Sequence, residues 1–348
     1  MLKLRQGVVT ETDPLRVRIG DEVRAAWADE SLVGEIREGD ELILNTEARD
    51  LRLGSGGFDV VHVNLTRGLD HPGAEQARAL KLNYTSLQHP VEPVEAREYR
   101  GPGRQIPVLV LSLHGQLAPA AWAAARGAPE LRVGYVQTTG GALPGELSGD
   151  VSELRNAGLL HEHVTAGAAY GAELEALTVI GALEAAAGPL GWDAAIAGPG
   201  PGIAGSGSEL GHGGMAALDT AHASLILGHE TLLAPRMSSG DARERHRGLS
   251  HHTETVLRML LGNVRVPAPA HGPTPWPQVG DDRSLEALRR ECGDHHELWL
   301  REAPVDEYAE SGLPATHMGR KIGEDRLFFA AALAAGDALA AAMVELAA

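Results

Sequence analysis

The stretch IPVLVLSL, residues 106–113, decides the fold that is predicted for this chain. An apolar run of this length is typical of a strand buried on both faces, as in a parallel sheet. A loop and an apolar helix follow directly in HGQLAPAAWAAARGA, residues 114–128. The same order of apolar strand, turn and helix recurs, with strands predicted at residues 131–138, 159–167, 192–198, 231–238, 263–270 and 296–303. This alternation predicts a doubly wound, mostly parallel, Rossmann-like α/β sheet.

The first 66 residues have a different pattern. Short alternating or apolar runs, separated by Gly and Asp turns, predict five strands within residues 7–11, 15–20, 22–28, 39–45 and 58–66. We therefore expect a small β-barrel at 1–66, a loop-rich connector at 67–105 and an α/β domain at 106–348. The barrel is expected to act as a scaffold or in oligomerisation, so a homo-oligomer stays possible.

Composition limits the classes of function. The 348-residue chain carries a formal net charge of -17, which argues against general binding of nucleic acid or of anionic lipid. Its single cysteine, Cys292, excludes a disulfide framework within one chain. The N-terminus lacks the apolar segment of a signal peptide, and the apolar C-terminal tail is interrupted by charge, which favours a packed helix. We expect a cytoplasmic protein.

The loops that follow the strands are where an open α/β sheet binds ligands. The most distinctive one is PGPGIAGSGSELGHGG, residues 199–214, because glycine lets backbone amides approach an anion. Its candidate ligand-binding residues are Gly202, Gly205, Ser206, Gly207 and Ser208. A tightly folded crossover without a ligand is the alternative. The loop has neither a Walker sequence nor a dinucleotide fingerprint.

The stretch RERHRGLSHHTETV, residues 243–256, concentrates arginine and histidine in an acidic chain. Guanidinium groups bind phosphate or carboxylate at two points, so Arg236, Arg245 and His246 are predicted to contact an anionic ligand. Thr138 and Thr139, after the second strand of the sheet, are predicted as hydrogen-bond donors to it. A salt-bridged surface turn is the alternative for the arginines.

Three histidines are predicted to transfer protons near neutral pH: His114 at a strand end, and His251 and His252 at a helix start capped by Ser250. A metal site is an open alternative, built from His114, His251 and a carboxylate, or from His161 and His163 on one strand. The cofactor is left unidentified.

Several segments in combination resemble a bacterial protein family of unknown function. They are VLSLHGQLAP, GYVQTTGGALP, TAGAAYGAELEALT, GPGIAGSGS, RERHRGLSHHT and THMGRKIGED. The resemblance covers most of the chain and implies no activity.

Three functional hypotheses stay open. The first is an enzyme that binds a small phosphorylated or nucleotide-like ligand at the carboxyl edge of the strands. The second is a metabolite-sensing or scaffold protein without catalysis. The third is a metal-dependent hydrolase built on the histidines.

Overall fold

The computed structural model describes residues 1–54, 56–69, 77–98, 104–270 and 282–347. The chain forms two compact units, Met1–Val91 and Glu92–Ala348. The connector predicted at 67–105 spans the point where these units meet along the sequence. Each unit is described by itself.

The first unit contains a closed barrel, as predicted. Its five strands pair in the order β1-β2-β3-β5-β4. Alternate residues point inward: Leu42 and Leu44 of β4 are fully buried, together with Val17 of β2. The elements of this unit are β1 (Leu4–Thr12), β2 (Leu15–Ile19), β3 (Glu22–Trp27), α1 (Glu30–Val33), β4 (Glu41–Asn45), α2 (Glu47–Asp50), β5 (Asp59–Asn64), β6 (Ala79–Lys81) and β7 (His89–Val91).

The second unit is built on an eight-stranded sheet in which every strand pair is parallel. The predicted parallel α/β fold is therefore confirmed. The strands are β8 (Pro107–Val110), β9 (Val133–Thr138), β10 (His163–Ala166), β11 (Leu174–Ala176), β12 (Ala194–Pro199), β13 (Glu230–Leu233), β16 (Arg265–Pro269) and β17 (Glu297–Arg301). Their order is β11-β10-β9-β12-β8-β13-β16-β17.

Helices cover both faces of this sheet. Val108 and Val110 of β8 pack into a core with α5, α6, α7 and α8, whereas Leu109 and Leu111 pack into a second core with α3, α4 and α10. Because successive side chains of a strand point to opposite faces, a strand covered on both sides is apolar throughout. The helices are α3 (Leu117–Gly127), α4 (Gly149–Asn156), α5 (Val179–Ala187), α6 (Ala216–Ile226), α7 (His251–Met259), α8 (Asp282–Cys292), α9 (Val305–Ala309) and α10 (Arg326–Ala347).

Two predicted elements are wrong in detail. The segment AELEALTVIGALEAAA, residues 172–187, predicts one helix, but the helix begins only at Val179, and Leu174–Ala176 forms the edge strand β11. Glu175 on this strand accepts hydrogen bonds from the Gly171 N–H and the Thr165 hydroxyl, which hold it in extended form. The strand predicted over residues 231–238 divides into β13 and the short β14 (Met237–Ser238).

The C-terminal helix α10 is a core helix. By length and composition, Arg326–Leu346 is the one described helix that could cross a membrane, but 83% of its most apolar window is buried inside the structure. It packs on α3 through small residues. The Gly336 backbone lies so close to Ala120 that a Cβ at Gly336 would come within 2.1 Å of the Ala120 carbonyl oxygen.

The strand order creates a switch point at β8 and β12. From β8 the chain crosses toward β9 and β10, and from β12 it crosses the other way toward β13 and β16. Loops that diverge in this manner leave a crevice at the carboxyl edge of the sheet. Two small antiparallel ribbons lie in the segments that follow: β14 with β15 (Gly248–Leu249), and β18 (Thr316–His317) with β19 (Arg320–Lys321).

Candidate functional site

The loops after β9 and β12 are packed backbone against backbone. A Cβ at Gly213 would lie 1.7 Å from the Gly140 carbonyl oxygen, and a Cβ at Gly140 would lie 2.3 Å from the Gly213 carbonyl oxygen. Only glycine permits this approach. Thr138 is buried and its hydroxyl donates to the Thr139 carbonyl at 3.2 Å, while Thr139 is exposed. The predicted role of both threonines as ligand donors stays a prediction.

The Gly-rich loop closes on itself in an exposed hairpin. The Ser206 hydroxyl donates to the Gly211 carbonyl at 3.0 Å and lies 2.9 Å from the Ser208 hydroxyl, which accepts from the Gly211 N–H. Gly202 and Gly207 have positive φ, and Gly205 bridges to His212. The two hydroxyls stabilise the hairpin. A direct role of Gly202, Gly205, Ser206, Gly207 and Ser208 toward a ligand stays a prediction.

A buried guanidinium lies where the chain leaves β13. Arg236 is 3% exposed; its Nη2 donates to Asp241 Oδ2 at 3.4 Å and its Nη1 contacts His252 Nδ1 at 3.1 Å. Asp241 is shared, because it also pairs with Arg243 at 2.8 Å and with Arg320 at 3.6 Å. Burial, followed by the charge of Arg243, lowers the pKa of Arg236 to about 10. One carboxylate therefore faces three guanidinium groups.

Asp325 fixes the backbone beneath this cluster. Its Oδ1 accepts from the Ser239 N–H at 2.8 Å and the Gly240 N–H at 3.1 Å, and its Oδ2 accepts from the Ser238 hydroxyl at 2.7 Å and from Arg320 at 3.0 Å. The carboxylate thus joins the segment before α10 to the turn after β14.

Four histidine rings pack together beside Arg236, and one of them, His252, contacts its guanidinium. His212, which ends the Gly-rich loop, stacks on His252 with centroids 3.6 Å apart and planes 6° apart. His251 meets His212 edge to face at 5.5 Å and His252 at 4.5 Å. His246 lies 4.9 Å from both His251 and His252, and its Nδ1 is 2.8 Å from the Ser250 hydroxyl.

These imidazoles are neutral at pH 7. Burial, followed by the charge of Arg236, lowers the pKa of His252 to about 2 and that of His246 to about 3. Burial also lowers the pKa of His212 and of His251, and Arg236 adds to both effects. A neutral imidazole offers one N–H donor and one acceptor nitrogen. The cluster can therefore donate to, and accept from, an oxygen atom placed between the rings.

The two loops singled out in the sequence meet. The Arg245 guanidinium, on the Arg/His turn, donates to the Gly207 carbonyl of the Gly-rich hairpin at 3.3 Å. The strands that precede the two loops, β12 and β13, are separated in the sheet by β8. The loops approach each other across the carboxyl end of β8, at the switch point. The structure brings together Arg236, Arg245, His246, His251 and His252.

His114 lies in a different environment. Its Nδ1 faces the Pro199 carbonyl at 3.2 Å and its Nε2 faces the Ser148 hydroxyl at 2.7 Å, both beside the Tyr135 ring. Burial lowers its pKa. Both nitrogens of the ring are engaged by the fold. Its predicted role in proton transfer stays a prediction, since no contact with the four-histidine cluster is described.

The metal sets proposed from the sequence do not assemble. Within the described residues, the group of side chains close enough to hold an ion is His212, His251 and His252, with ligand atoms within 4.8 Å of one another. His114 lies outside this group. His161 accepts from Arg132 at the surface, whereas His163 is buried and stacks on Tyr135, so these two do not form a pair.

Two features of the histidine group oppose a metal ion. A metal lies in the plane of each imidazole that binds it, about 2.0–2.1 Å from nitrogen. His212 and His252 have parallel planes one above the other, so their lone pairs do not meet at one point. In addition, Arg236 donates to His252 Nδ1, which places a positive charge beside the ring.

Sequence reasoning missed several residues of this cluster. His212 was inside the quoted Gly-rich loop, but an isolated histidine between glycines carries no spacing signal. His317, Arg320 and Asp325 lie within THMGRKIGED, residues 316–325, a segment that carries the family resemblance but no spacing typical of a site. Burial, followed by the charge of Arg236, lowers the pKa of His317 to about 4, so the guanidinium also acts on this residue.

The comparison with protein families gives one result. Residues 25–336 match the family described as protein of unknown function (DUF3866). The chain belongs to this family. No curated protein and no solved structure matches the DUF3866 chain. The expected family of unknown function is confirmed, and its bacterial origin stays a prediction.

Proposed function

We propose that this DUF3866 protein binds a small phosphorylated or nucleotide-like ligand at the carboxyl edge of its parallel sheet. The observation that carries the proposal is the buried Arg236, which shares its one carboxylate, Asp241, with two other arginines. A buried guanidinium with so little compensating charge favours an anion beside it, because desolvation strengthens the attraction. Arg236 follows β13 at the carboxyl edge of the sheet, beside the switch point at which open α/β sheets bind ligands.

The exposed side of the cluster also supports an anion. Arg245 is exposed and reaches the hairpin, and its charge adds to the burial that lowers the pKa of both His212 and His251. A phosphoryl group entering between the hairpin and α7 meets Arg245 first and the field of Arg236 behind the rings. Guanidinium groups bind phosphate oxygens with directed hydrogen bonds.

Enzymatic turnover is the fuller form of the proposal. Neutral histidines in contact with a bound anion can accept or return a proton, which suits phosphoryl transfer, glycosyl transfer or hydrolysis. The competing form is a metabolite sensor that binds the same ligand without product. Incubation with a panel of sugar phosphates and nucleotides, followed by product analysis, separates the two forms.

The test of binding is calorimetric titration with inorganic phosphate, sugar phosphates and nucleotides. We expect Arg236→Ala to weaken binding by about 10- to 100-fold, because it removes the buried positive charge behind the rings and the hydrogen bond that fixes His252, and a hydrogen bond to a charged group is worth about 1.5–3 kcal/mol. Asp241 keeps its ion pairs with Arg243 and Arg320 in this variant, so its carboxylate is not left unpaired. We expect Arg245→Ala to weaken binding by up to about fivefold, because its side chain is exposed.

Arg247→Ala is the matched control, because Arg247 is exposed on the same turn and has no described effect on the histidine rings. Its affinity should equal that of the unmodified protein. Equal loss in the Arg245 and Arg247 variants would mean that the turn acts only through its general charge. Absence of binding to every phosphorylated compound would contradict the proposal.

A histidine-bound metal is the second candidate. The observation in its favour is that His212, His251 and His252 have ligand atoms within 4.8 Å of one another and are in the neutral form that metals require. This candidate ranks second because the parallel stack of His212 on His252 and the positive charge of Arg236 both oppose a metal ion. Metal analysis of the purified protein, with and without a chelator, tests it: bound Zn²⁺ in one-to-one ratio would move this candidate ahead of the anion.

A further inference from the structure

Two rings of the cluster carry buried nitrogens without hydrogen-bond partners. Both nitrogens of His212 and the Nε2 of His251 are in this state, although His212 is only 9% exposed. Burial lowers the pKa of His212 and the nearby Glu209 carbonyl raises it, but no hydrogen bond of normal geometry joins this carbonyl to the ring. A buried polar group left without a partner costs about 1–3 kcal/mol. Such a cost at two adjacent rings indicates a ligand.

The other two rings are held by the protein. His252 Nδ1 is fixed by Arg236, and His246 Nδ1 is fixed by the Ser250 hydroxyl. Because a guanidinium can only donate, His252 Nδ1 is an acceptor and its Nε2 carries the hydrogen. His252 and Arg236 therefore form a fixed wall, and His212 and His251 are the rings whose nitrogens can take a ligand atom.

The spacing of these nitrogens suits one oxygen atom. Candidate ligand nitrogens of His212 and His251 lie within 4.8 Å of each other. An oxygen that makes hydrogen bonds of about 2.9 Å to both nitrogens fits between them. The edge-to-face arrangement of the two rings lets the in-plane donor or acceptor directions converge, which the stacked pair His212 and His252 does not allow.

The surrounding charge selects a doubly charged anion. Arg236, Arg243 and Arg320 face the two carboxylates Asp241 and Asp325, and Arg245 adds a fourth positive charge beside His212 and His251, which leaves an excess of two positive charges. Glu209 on the hairpin offsets part of this excess, but its effect on the pKa of His251 is smaller than that of burial, of Arg245 or of Arg236. A singly charged carboxylate ligand would leave part of the excess unpaired.

We infer that His212 and His251 form a clamp for one oxygen of a doubly charged, phosphate-type oxyanion. This inference rests on the proposed function and adds its contact residues and its charge class. The bound dianion opposes the field of Arg236, so the two imidazoles gain affinity for protons when it binds. Binding then takes up protons and strengthens as the pH falls.

The titratable and charged groups around the clamp belong to several elements. Glu209 and His212 belong to the hairpin, and Arg245 and His246 to the Arg/His turn. Arg236, Asp241 and Arg243 precede that turn, while His251 and His252 begin α7. His317, Arg320 and Asp325 come from the segment before α10. Among them, His212, His251 and His317 have buried nitrogens without hydrogen-bond partners. His317 stacks on Phe328, whereas His212 and His251 pack against each other, so these two are the expected proton acceptors.

Sulfate is the decisive probe because it stays a dianion from pH 8 to pH 6, so any change in its affinity over this range comes from titration of the protein. Calorimetric titration of the full chain should show sulfate affinity rising at least about fivefold over this range, with proton uptake revealed by buffers of different ionisation enthalpy. Acetate, a monoanion, should bind at least about tenfold more weakly than sulfate at pH 6. Inorganic phosphate should also bind, with an affinity similar to that of sulfate.

His212→Asn and His251→Asn should each flatten the pH dependence of sulfate binding, while Arg236 retains residual affinity. His295→Asn is the matched control, since His295 is exposed and far along the chain in the α8–β17 turn. If His212→Asn fails to fold, His212→Gln replaces it, and circular dichroism and the melting temperature show whether each variant is folded.

The outcomes separate the inference from the function on which it rests. Sulfate binding that keeps its affinity and pH dependence in both asparagine variants overturns the clamp but leaves the proposed anion site. Absence of sulfate and phosphate binding in the unmodified protein overturns both. Tight binding of Zn²⁺ alone, lost in both variants, overturns the clamp by assigning the free nitrogens to a metal.

Discussion

Asp325 is the residue on which the architecture beneath the site depends. Its carboxylate is fully buried and accepts from two backbone N–H groups, two serine hydroxyls and Arg320. A neutral amide of the same shape cannot replace a carboxylate that accepts from several donors at once, because the amide brings donors of its own. We infer that Asp325 fixes the turn from which Asp241 and Arg243 project.

We expect Asp325→Asn to lower the free energy of unfolding by about 3 kcal/mol, since it leaves Arg320 facing a donor in a largely buried setting. Urea unfolding monitored by circular dichroism measures this change. Asp306→Asn removes the partner of Arg326 in an exposed pair and should cost less than about 1 kcal/mol. Equal losses in the two variants would show that burial and donor number do not matter here.

At the scale of elements, α10 and α3 lie unusually close because small residues face each other. A Cβ at Gly336 would come within 2.1 Å of the Ala120 carbonyl oxygen and 2.8 Å of the Ala123 Cβ, and neither backbone can give way cheaply. Alanine elsewhere along α10 fills the rest of the contact at high packing density. The helix is therefore positioned by its composition as well as by its apolarity.

We expect Gly336→Ala to destabilise the protein by about 1–3 kcal/mol through overpacking, despite the better helix propensity of alanine. Gly149→Ala is the control: it lies at the start of α4, with open space around the new methyl group, and should be neutral or slightly stabilising. Melting temperatures of the two variants decide the matter. A stabilised Gly336→Ala protein would show that the two helices can separate without loss.

The whole molecule contains buried histidines that must stay neutral in the folded state. Burial is the first cause that lowers the pKa of His163 and His246 to about 3, of His252 to about 2 and of His317 to about 4. An unfolded histidine titrates near 6.5. Below that pH the unfolded chain binds more protons than the folded one, so stability is complete above about pH 6.5 and is lost as the pH falls toward the folded values.

We expect the free energy of unfolding to be at least about 2 kcal/mol lower at pH 5 than at pH 7.5, with each histidine contributing up to about 1.4 kcal/mol per pH unit. Urea midpoints at a series of pH values measure it. Asp241, whose pKa is held low by Arg243 after the opposing effect of burial, loses its contribution only at more acidic pH. A flat profile between pH 7.5 and pH 5 would contradict the neutral histidine cluster.

The sequence by itself determined the elements and their class. The apolar run of β8 predicts a strand buried on both faces, and the structure places its alternate residues in two cores. The Ser250 cap and the helix after it are likewise local features: the hydroxyl accepts from the His252 N–H as its sequence position predicts. The edge strand β11 escaped prediction because three residues held by Glu175 bonds carry no periodic signal.

Only the tertiary structure decided which side chains form the site. Strand order places β8 between β12 and β13, and the loops after those two strands meet above it. Periodicity and turn composition encode the conformation of each segment but not the order of strands, which depends on how all the apolar faces are buried together. For that reason Arg236 and His251 could be named from the sequence as separate candidates. Their partner His212 and the carboxylate Asp325 became visible only once the chain had brought them together.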